Sequence, residues 1–230
     1  MRQAALLIIL MSILVFQSLE ASSPTQMMPK SASKVNADTV LYYLKPVLKS
    51  EGKVARIYYL GSCKKEGDYY MVSFPRVRVE PPLRKDDTGL ATIREVFRND
   101  SSVKVSEGTD GIIRIVIGQL PANILDTKIS IVTFDQDQQY TESLALTRIQ
   151  SSKEVQEAKR IQGIRLDGIP LYMSAVKPPI AGAHHLNPSM VNLTLDQALD
   201  SVAQTFGGIV LYGACVTPHF YTIHYVSLKS

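Results

Sequence analysis

Four histidines of this chain suggest a metal site: His184, His185, His219 and His224. Adjacent histidines on a loop rarely face one ion together, which disfavours a shared site at the first two. The offset of five between the last two places them on opposite faces of a strand. We therefore expect hydrogen-bonding or surface histidines, with no metal and no cofactor.

Nucleophilic catalysis has little support in the sequence. No serine lies in a Gly-x-Ser-x-Gly elbow, and the glycines of "FGGIVLYG" follow a predicted helix instead of preceding one, so they form no phosphate-binding loop. A Cys–His site made from Cys215 and His219 is conceivable, but such a pair of residues is not specific to any catalytic motif. The sequence thus indicates no catalytic residue, and the alternative site is the loop around His184 and His185, together with His219.

The only two cysteines end two similar heptads, "IYYLGSC" at 57–63 and "IVLYGAC" at 209–215. Each heptad predicts a buried strand that turns at a glycine and ends in a thiol. In an exported chain two cysteines favour a disulfide, here between Cys63 and Cys215. A loop of that length would stabilise the fold by about 4–5 kcal/mol in the entropic description. Two buried free thiols remain the alternative.

The N-terminus indicates export. A basic start, the uncharged run "AALLIILMSILVFQSL" and the small residues of "EASS" are typical of a signal peptide, predicted over 1–22. Retention of this segment as an anchor is the open alternative, although the run is short for a membrane span. Residues 23–37 are predicted as a flexible leader. We expect a bacterial periplasmic or secreted protein without stable membrane insertion after cleavage.

Composition is that of an ordinary folded protein. The chain has 230 residues, of which 45% are hydrophobic and 20% charged, and its formal net charge is +4. Lysine and arginine are interspersed with aspartate and glutamate, so no basic stripe for nucleic acid is present. Nucleic-acid binding is therefore not expected.

Hydrophobic periodicity predicts an α+β fold with mixed short sheets, made of two small lobes over 38–119 and 120–230. The first lobe has the order helix, strand, strand, helix and hairpin, the hairpin turning at 107–111. In the second lobe "ISIVTF" fits a helix or a strand equally well. A helix over 140–162, an irregular loop over 166–190, a helix over 192–208 and two final strands complete the chain.

Two stretches carry a family resemblance. The first has paired apolar helix positions followed by alternating strand positions: Leu90, Ile93, Val96 and Phe97, then Gly111, Ile113, Ile115 and Ile117. The second repeats the helix positions with Leu195, Ala198, Leu199 and Val202. Both resemble the short N-terminal periplasmic module of secretins and TonB-dependent receptors. That resemblance implies an α+β module that docks to other envelope proteins through helix faces or strand addition.

These observations lead to two functional hypotheses. The first is an exported, non-enzymatic interaction or assembly module whose partners are other envelope proteins. The alternative is an exported ligand-binding protein or hydrolase with its site in the loop of His184 and His185. The sequence leaves the partner and the oligomeric state open.

Overall fold

A computed structural model describes residues 34–35, 37–66, 69–80, 89–120, 124–164 and 182–228. The predicted signal peptide and most of the predicted irregular loop lie outside these residues. The predicted leader, 23–37, does not extend as far as expected, because Lys34–Val35 form a strand and a helix begins at Ala37. Among the described residues, no helix is long and apolar enough to cross a membrane.

The described residues contain six helices and eleven strands. The helices are α1 (Ala37–Ser50), α2 (Leu90–Val96), α3 (Gln136–Tyr140), α4 (Glu142–Gln150), α5 (Lys153–Ile161) and α6 (Leu195–Phe206). The strands are β1 (Lys34–Val35), β2 (Ala55–Leu60), β3 (Ser62–Glu66), β4 (Tyr69–Ser73), β5 (Val77–Arg78), β6 (Val103–Glu107), β7 (Ile113–Ile117), β8 (Lys128–Thr133), β9 (Ser189–Thr194), β10 (Gly208–Cys215) and β11 (Phe220–Ser227). The α+β class is thereby confirmed.

Five strands form the central sheet in the order β11-β10-β2-β7-β6. The three middle strands are parallel, and each outer strand runs antiparallel to its neighbour. Two of these five strands come from 120–230 and three from 38–119. The two stretches expected as separate lobes therefore share one mixed sheet, since their apolar strands bury each other's edges.

Helices cover both faces of the central sheet. On one face α1 and α2 pack over the inward side chains of β2 and β7, with Leu44, Ile57 and Ile115 fully buried. On the other face α6 packs over β10 and α4 over β11, with Leu199 and Val210 fully buried. Middle strands with helices on both sides have two apolar faces, and this explains why β10 is buried along its whole length.

The two similar heptads are neighbouring parallel strands. Leu211 of β10 pairs with Ile57 of β2, whereas alignment of the two heptads would match Ile57 with Ile209. The strands are thus shifted by two residues, and an even shift keeps the corresponding side chains on the same face of the sheet. Gly213 lies under the ring of Tyr59, and a Cβ there would overlap that ring. A Cβ at Gly61 would overlap the carbonyl oxygen of Ser73. Both glycines thus permit a close approach.

A disulfide joins Cys63 to Cys215, as predicted, with their Cα atoms 5.7 Å apart. Cys63 lies in β3, which forms an antiparallel hairpin with β4, and Cys215 ends β10. The bridge therefore attaches the β3–β4 hairpin to the central sheet.

Strands β8 and β9 form a separate two-stranded antiparallel sheet, here called the ribbon. The stretch "ISIVTF", which by periodicity fits a helix or a strand equally well, forms most of strand β8. The helix predicted over 140–162 is interrupted instead, because α4 ends at Gln150 and α5 begins at Lys153. Thr194 ends the ribbon and caps α6, accepting a hydrogen bond from the Gln197 amide.

Candidate functional site

A buried arginine marks the face of the central sheet that α6 covers. Arg56, second in β2, is 0% exposed, and a charge in that position needs carboxylate partners. Two come from successive turns of α6: Asp196 accepts from Nη2 at 2.9 Å and Asp200 from Nη1 at 2.6 Å. The spacing of four residues places both carboxylates on the same side of the helix.

A second arginine extends this network. Arg114 pairs with Arg56 across β7 and β2, so their side chains lie on the same face. Its Nη2 donates to Asp200 at 2.7 Å, and its guanidinium forms a two-point contact with Asp110 at 2.9 and 2.7 Å. That contact lowers the pKa of Asp110 to about 2. Burial raises the pKa of Asp200, and the charges of Arg56 and Arg114 oppose this rise.

Tyr58 completes the network. Its hydroxyl donates to Asp196 at 3.0 Å, and the Arg56 guanidinium lies 4.9 Å from the centre of its ring. Burial raises the pKa of Tyr58 above its usual value. The carboxylates of Asp110, Asp196 and Asp200 thus balance the charges of the two arginines and accept their hydrogen bonds. Because two of these carboxylates belong to α6, the network fixes α6 on the sheet.

Sequence reasoning does not single out this network, although a signal is present. Each arginine interrupts an apolar strand, in "VARIYYL" and "IIRIVI", and a charge in a buried strand requires a partner. The identity of the partner depends on the strand order, which brings Arg56 and Arg114 side by side.

The histidines of the alternative site make different contacts. His184 and His185 are exposed, and the ring of His185 stacks on Tyr140 with 4.9 Å between ring centres. The Nδ1 atom of His219 lies 3.0 Å from the carbonyl oxygen of Gln162. Within the described ranges, no three or more His, Cys, Asp or Glu side chains are grouped to hold a metal ion. Cys215, the partner considered for His219, is in the disulfide.

The ribbon contains a break in its strand pairing. Ile129 pairs with Leu193 and Ile131 with Val191, but Ser130 and Asn192 between them are not paired. Asn192 has φ of 53°, a left-handed conformation that is unusual for a residue with a side chain. Such a residue inside a strand redirects the side chains that flank it.

The break turns an apolar pair toward solvent. Strict alternation would place Ile131 on the same side as Ile129, which is buried, yet Ile131 is 56% exposed. Its cross-strand partner Val191 is 55% exposed, whereas Val132 is buried instead. The ribbon therefore presents two branched apolar side chains directly opposite each other on its surface.

The two long edges of the ribbon differ. Along β8, the Ser130 amide donates to Glu154 at 3.0 Å and the Thr133 carbonyl accepts from Arg148 at 2.9 Å, so side chains of α5 and α4 occupy that edge. No side chain of the described residues reaches the outer edge of β9 in the same way. Strand β9, "SMVNLT", also has no charge. Charged residues and capped backbone groups normally protect an exposed edge from pairing.

A cleft of about 440 Å³ lies where the ribbon leads into α6. Residues 128–130 of β8, 192–194 of β9 and Gln197 line it. Five of its seven lining residues have polar side chains, and among them Lys128, Ser130 and Asn192 are exposed. The ribbon surface is defined here as Ile131 and Val191 with this cleft.

Comparison with known proteins does not assign a family. The chain matches no family model, no curated protein and no solved structure at a significant level. The fold and site define it as an α+β protein with one disulfide in its described residues, a buried charge network and an exposed apolar pair on a separate ribbon.

Proposed function

We propose that this chain is an exported, non-enzymatic interaction or assembly module of the bacterial cell envelope, and that it docks to other envelope proteins through the ribbon surface. The exposed cross-strand pair of Ile131 and Val191 carries this proposal. Exposed apolar side chains that lie together, bordered by polar residues, are typical of protein interaction sites.

The shape of the ribbon supports a partner that covers its face and approaches from β9. The edge of β8 is already occupied by Glu154 and Arg148. Strand β9 has no charged side chain, so a partner that binds there would not have to desolvate a charge. The cleft beside the pair offers hydroxyl and amide groups for hydrogen bonds at the rim of such an interface.

Export is supported by the disulfide and by the predicted signal peptide. Disulfides persist in oxidising compartments such as the periplasm and are rare in the cytosol. Deletion of residues 1–22 should leave the chain in the cytoplasm with Cys63 and Cys215 reduced. Cell fractionation with thiol labelling measures both properties, and a bridged, exported product of the deleted chain would contradict the proposal.

Docking can be tested by crosslinking the tagged full-length chain in cells and identifying what co-purifies from the envelope fraction. The double change of Ile131→Ser and Val191→Ser should remove a reproducible partner that the unchanged chain retains. Val216→Ser is the matched control, because Val216 is also branched and 60% exposed but follows β10. Equal recovery of the partner with the double variant would contradict docking through the ribbon.

The same experiment addresses the histidine loop. His184→Ala and His185→Ala should leave partner recovery unchanged, since neither residue belongs to the ribbon surface. Loss of the partner in this double histidine variant, with the ribbon variant unaffected, would move the interaction site to the loop.

A further inference from the structure

Lys159 is a second buried cation, and its surroundings differ from those of Arg56. It lies in the last turn of α5 and is 5% exposed. Its ammonium nitrogen lies 5.1 Å from the centre of the Tyr221 ring. Among the described residues, no carboxylate forms an ion pair with it.

Two further buried polar groups have no hydrogen-bond partner among the described residues. One is the hydroxyl of Tyr221, a residue that is 6% exposed, and the other is the side-chain oxygen of Gln162, three residues after Lys159. Tyr212 stacks on Tyr221 with 5.5 Å between ring centres. Buried polar groups in folded proteins are nearly always paired, so each unpaired group requires an explanation.

The charge on Lys159 persists at neutral pH. Burial lowers the pKa of Lys159 to about 8, so the amine is still mostly protonated at pH 7. Contact with an aromatic face compensates only part of the cost of burying an ammonium ion. The fold therefore maintains an incompletely compensated positive charge beside a phenol that can donate a hydrogen bond.

The cluster lies close to the protein surface. Arg160 and Ile161, the residues that follow Lys159, are exposed, and so is Gly163. The ring of His219 contacts the carbonyl oxygen of Gln162.

We propose that Lys159 and Tyr221 bind the carboxylate group of a small organic acid. The ammonium and the phenol would each donate to one carboxylate oxygen, which supplies the missing partners of both groups. One buried cation matches the single charge of a carboxylate better than the double charge of a phosphate. The rings of Tyr212 and Tyr221 provide apolar surface for a carbon skeleton, and the oxygen of Gln162 can accept from a hydroxyl or amine on it.

Titration of the full-length chain with acetate, lactate and benzoate, followed by calorimetry and by NMR chemical shifts, tests this site. At least one of these probes should bind saturably at a single site. Tyr221→Phe should weaken that binding by about tenfold or more, because one hydrogen bond to a charged group is lost. Lys159→Met should abolish it, whereas Lys153→Met, which removes an exposed lysine of the same helix, should leave it unchanged.

Thermal unfolding of each variant shows that the site was tested in a folded protein. The phenol of Tyr221 has no partner to lose, so Tyr221→Phe should fold normally, and Lys159→Gln replaces Lys159→Met if the latter unfolds. Saturable binding of none of the three acids would overturn the proposal. Equal binding by the unchanged chain and the folded lysine variant would overturn it as well.

Discussion

The central sheet and the ribbon differ in how far the rest of the protein covers their faces and edges. In the sheet, helices cover both faces, and even the outer strand β6 has its Val105 carbonyl capped by Arg94 at 3.3 Å. In the ribbon only one face is buried, and the break at Asn192 turns Ile131 and Val191 outward. The comparison separates residues that stabilise the fold from residues that are available to a partner.

This difference predicts that changes in the sheet reduce stability, whereas changes on the ribbon surface reduce docking. The largest effect is expected for Asp200→Ala, which removes a carboxylate shared by Arg56 and Arg114. Leaving a buried arginine incompletely paired should lower the free energy of unfolding by about 3–5 kcal/mol. Urea denaturation measures this change, with Asp137→Ala on the exposed side of α3 as the control. A decrease no larger than that of the control would show that the network contributes no stability.

Removal of the disulfide should have the next largest effect. The double change of Cys63→Ala and Cys215→Ala should lower the free energy of unfolding by about 2–5 kcal/mol, because the bridge closes a long loop and attaches the β3–β4 hairpin to β10. Reduction of the unchanged chain with dithiothreitol should have a similar effect in the same denaturation experiment. Unaltered stability in both cases would mean that the hairpin is held by packing alone.

Acid should weaken the network at its exposed end. Contact with Arg114 lowers the pKa of Asp110 to about 2, below the value near 4 expected in the unfolded chain. The stability from this pair is therefore fully present above pH 4 and is lost as pH falls toward 2. In Asp110→Asn, the free energy of unfolding should fall less between pH 4 and pH 2 than it does in the unchanged chain. An identical pH profile for the variant would exclude a contribution of this pair.

The smallest effect on stability is expected on the ribbon. Side chains that are more than half exposed contribute little to stability, so Ile131→Ser with Val191→Ser should change the free energy of unfolding by no more than about 0.5 kcal/mol per site. The same denaturation experiment measures this value. A loss comparable to that of Asp200→Ala would mean that the pair belongs to the core and would remove the reason to expect docking there.

The elements that sequence reasoning could predict are those whose signal is local. Strand β10 follows from an apolar run, α6 from its periodic apolar positions and the glycine at its end, and the disulfide from two cysteines in an exported chain. The single shared sheet could not be predicted, because the pairing of β10 with β2 joins residues far apart in sequence. The exposed pair could not be predicted either, since it depends on the backbone of Asn192, and alternation alone would bury Ile131 beside Ile129.

The resemblance to secretin and TonB-receptor modules stays a prediction. Its two helix motifs, α2 and α6, lie on opposite faces of the central sheet, and the strands β7 and β10 that follow them flank β2. The docking proposal depends on the ribbon and not on this resemblance.

Photocrosslinking from the ribbon surface in cells tests the proposed docking most directly. A photoreactive phenylalanine analogue placed at position 191 of the full-length chain should yield a discrete crosslinked envelope protein on irradiation. The same analogue at position 216, which is equally exposed, should not yield it. A product at both positions, or at neither, would contradict docking through the ribbon surface.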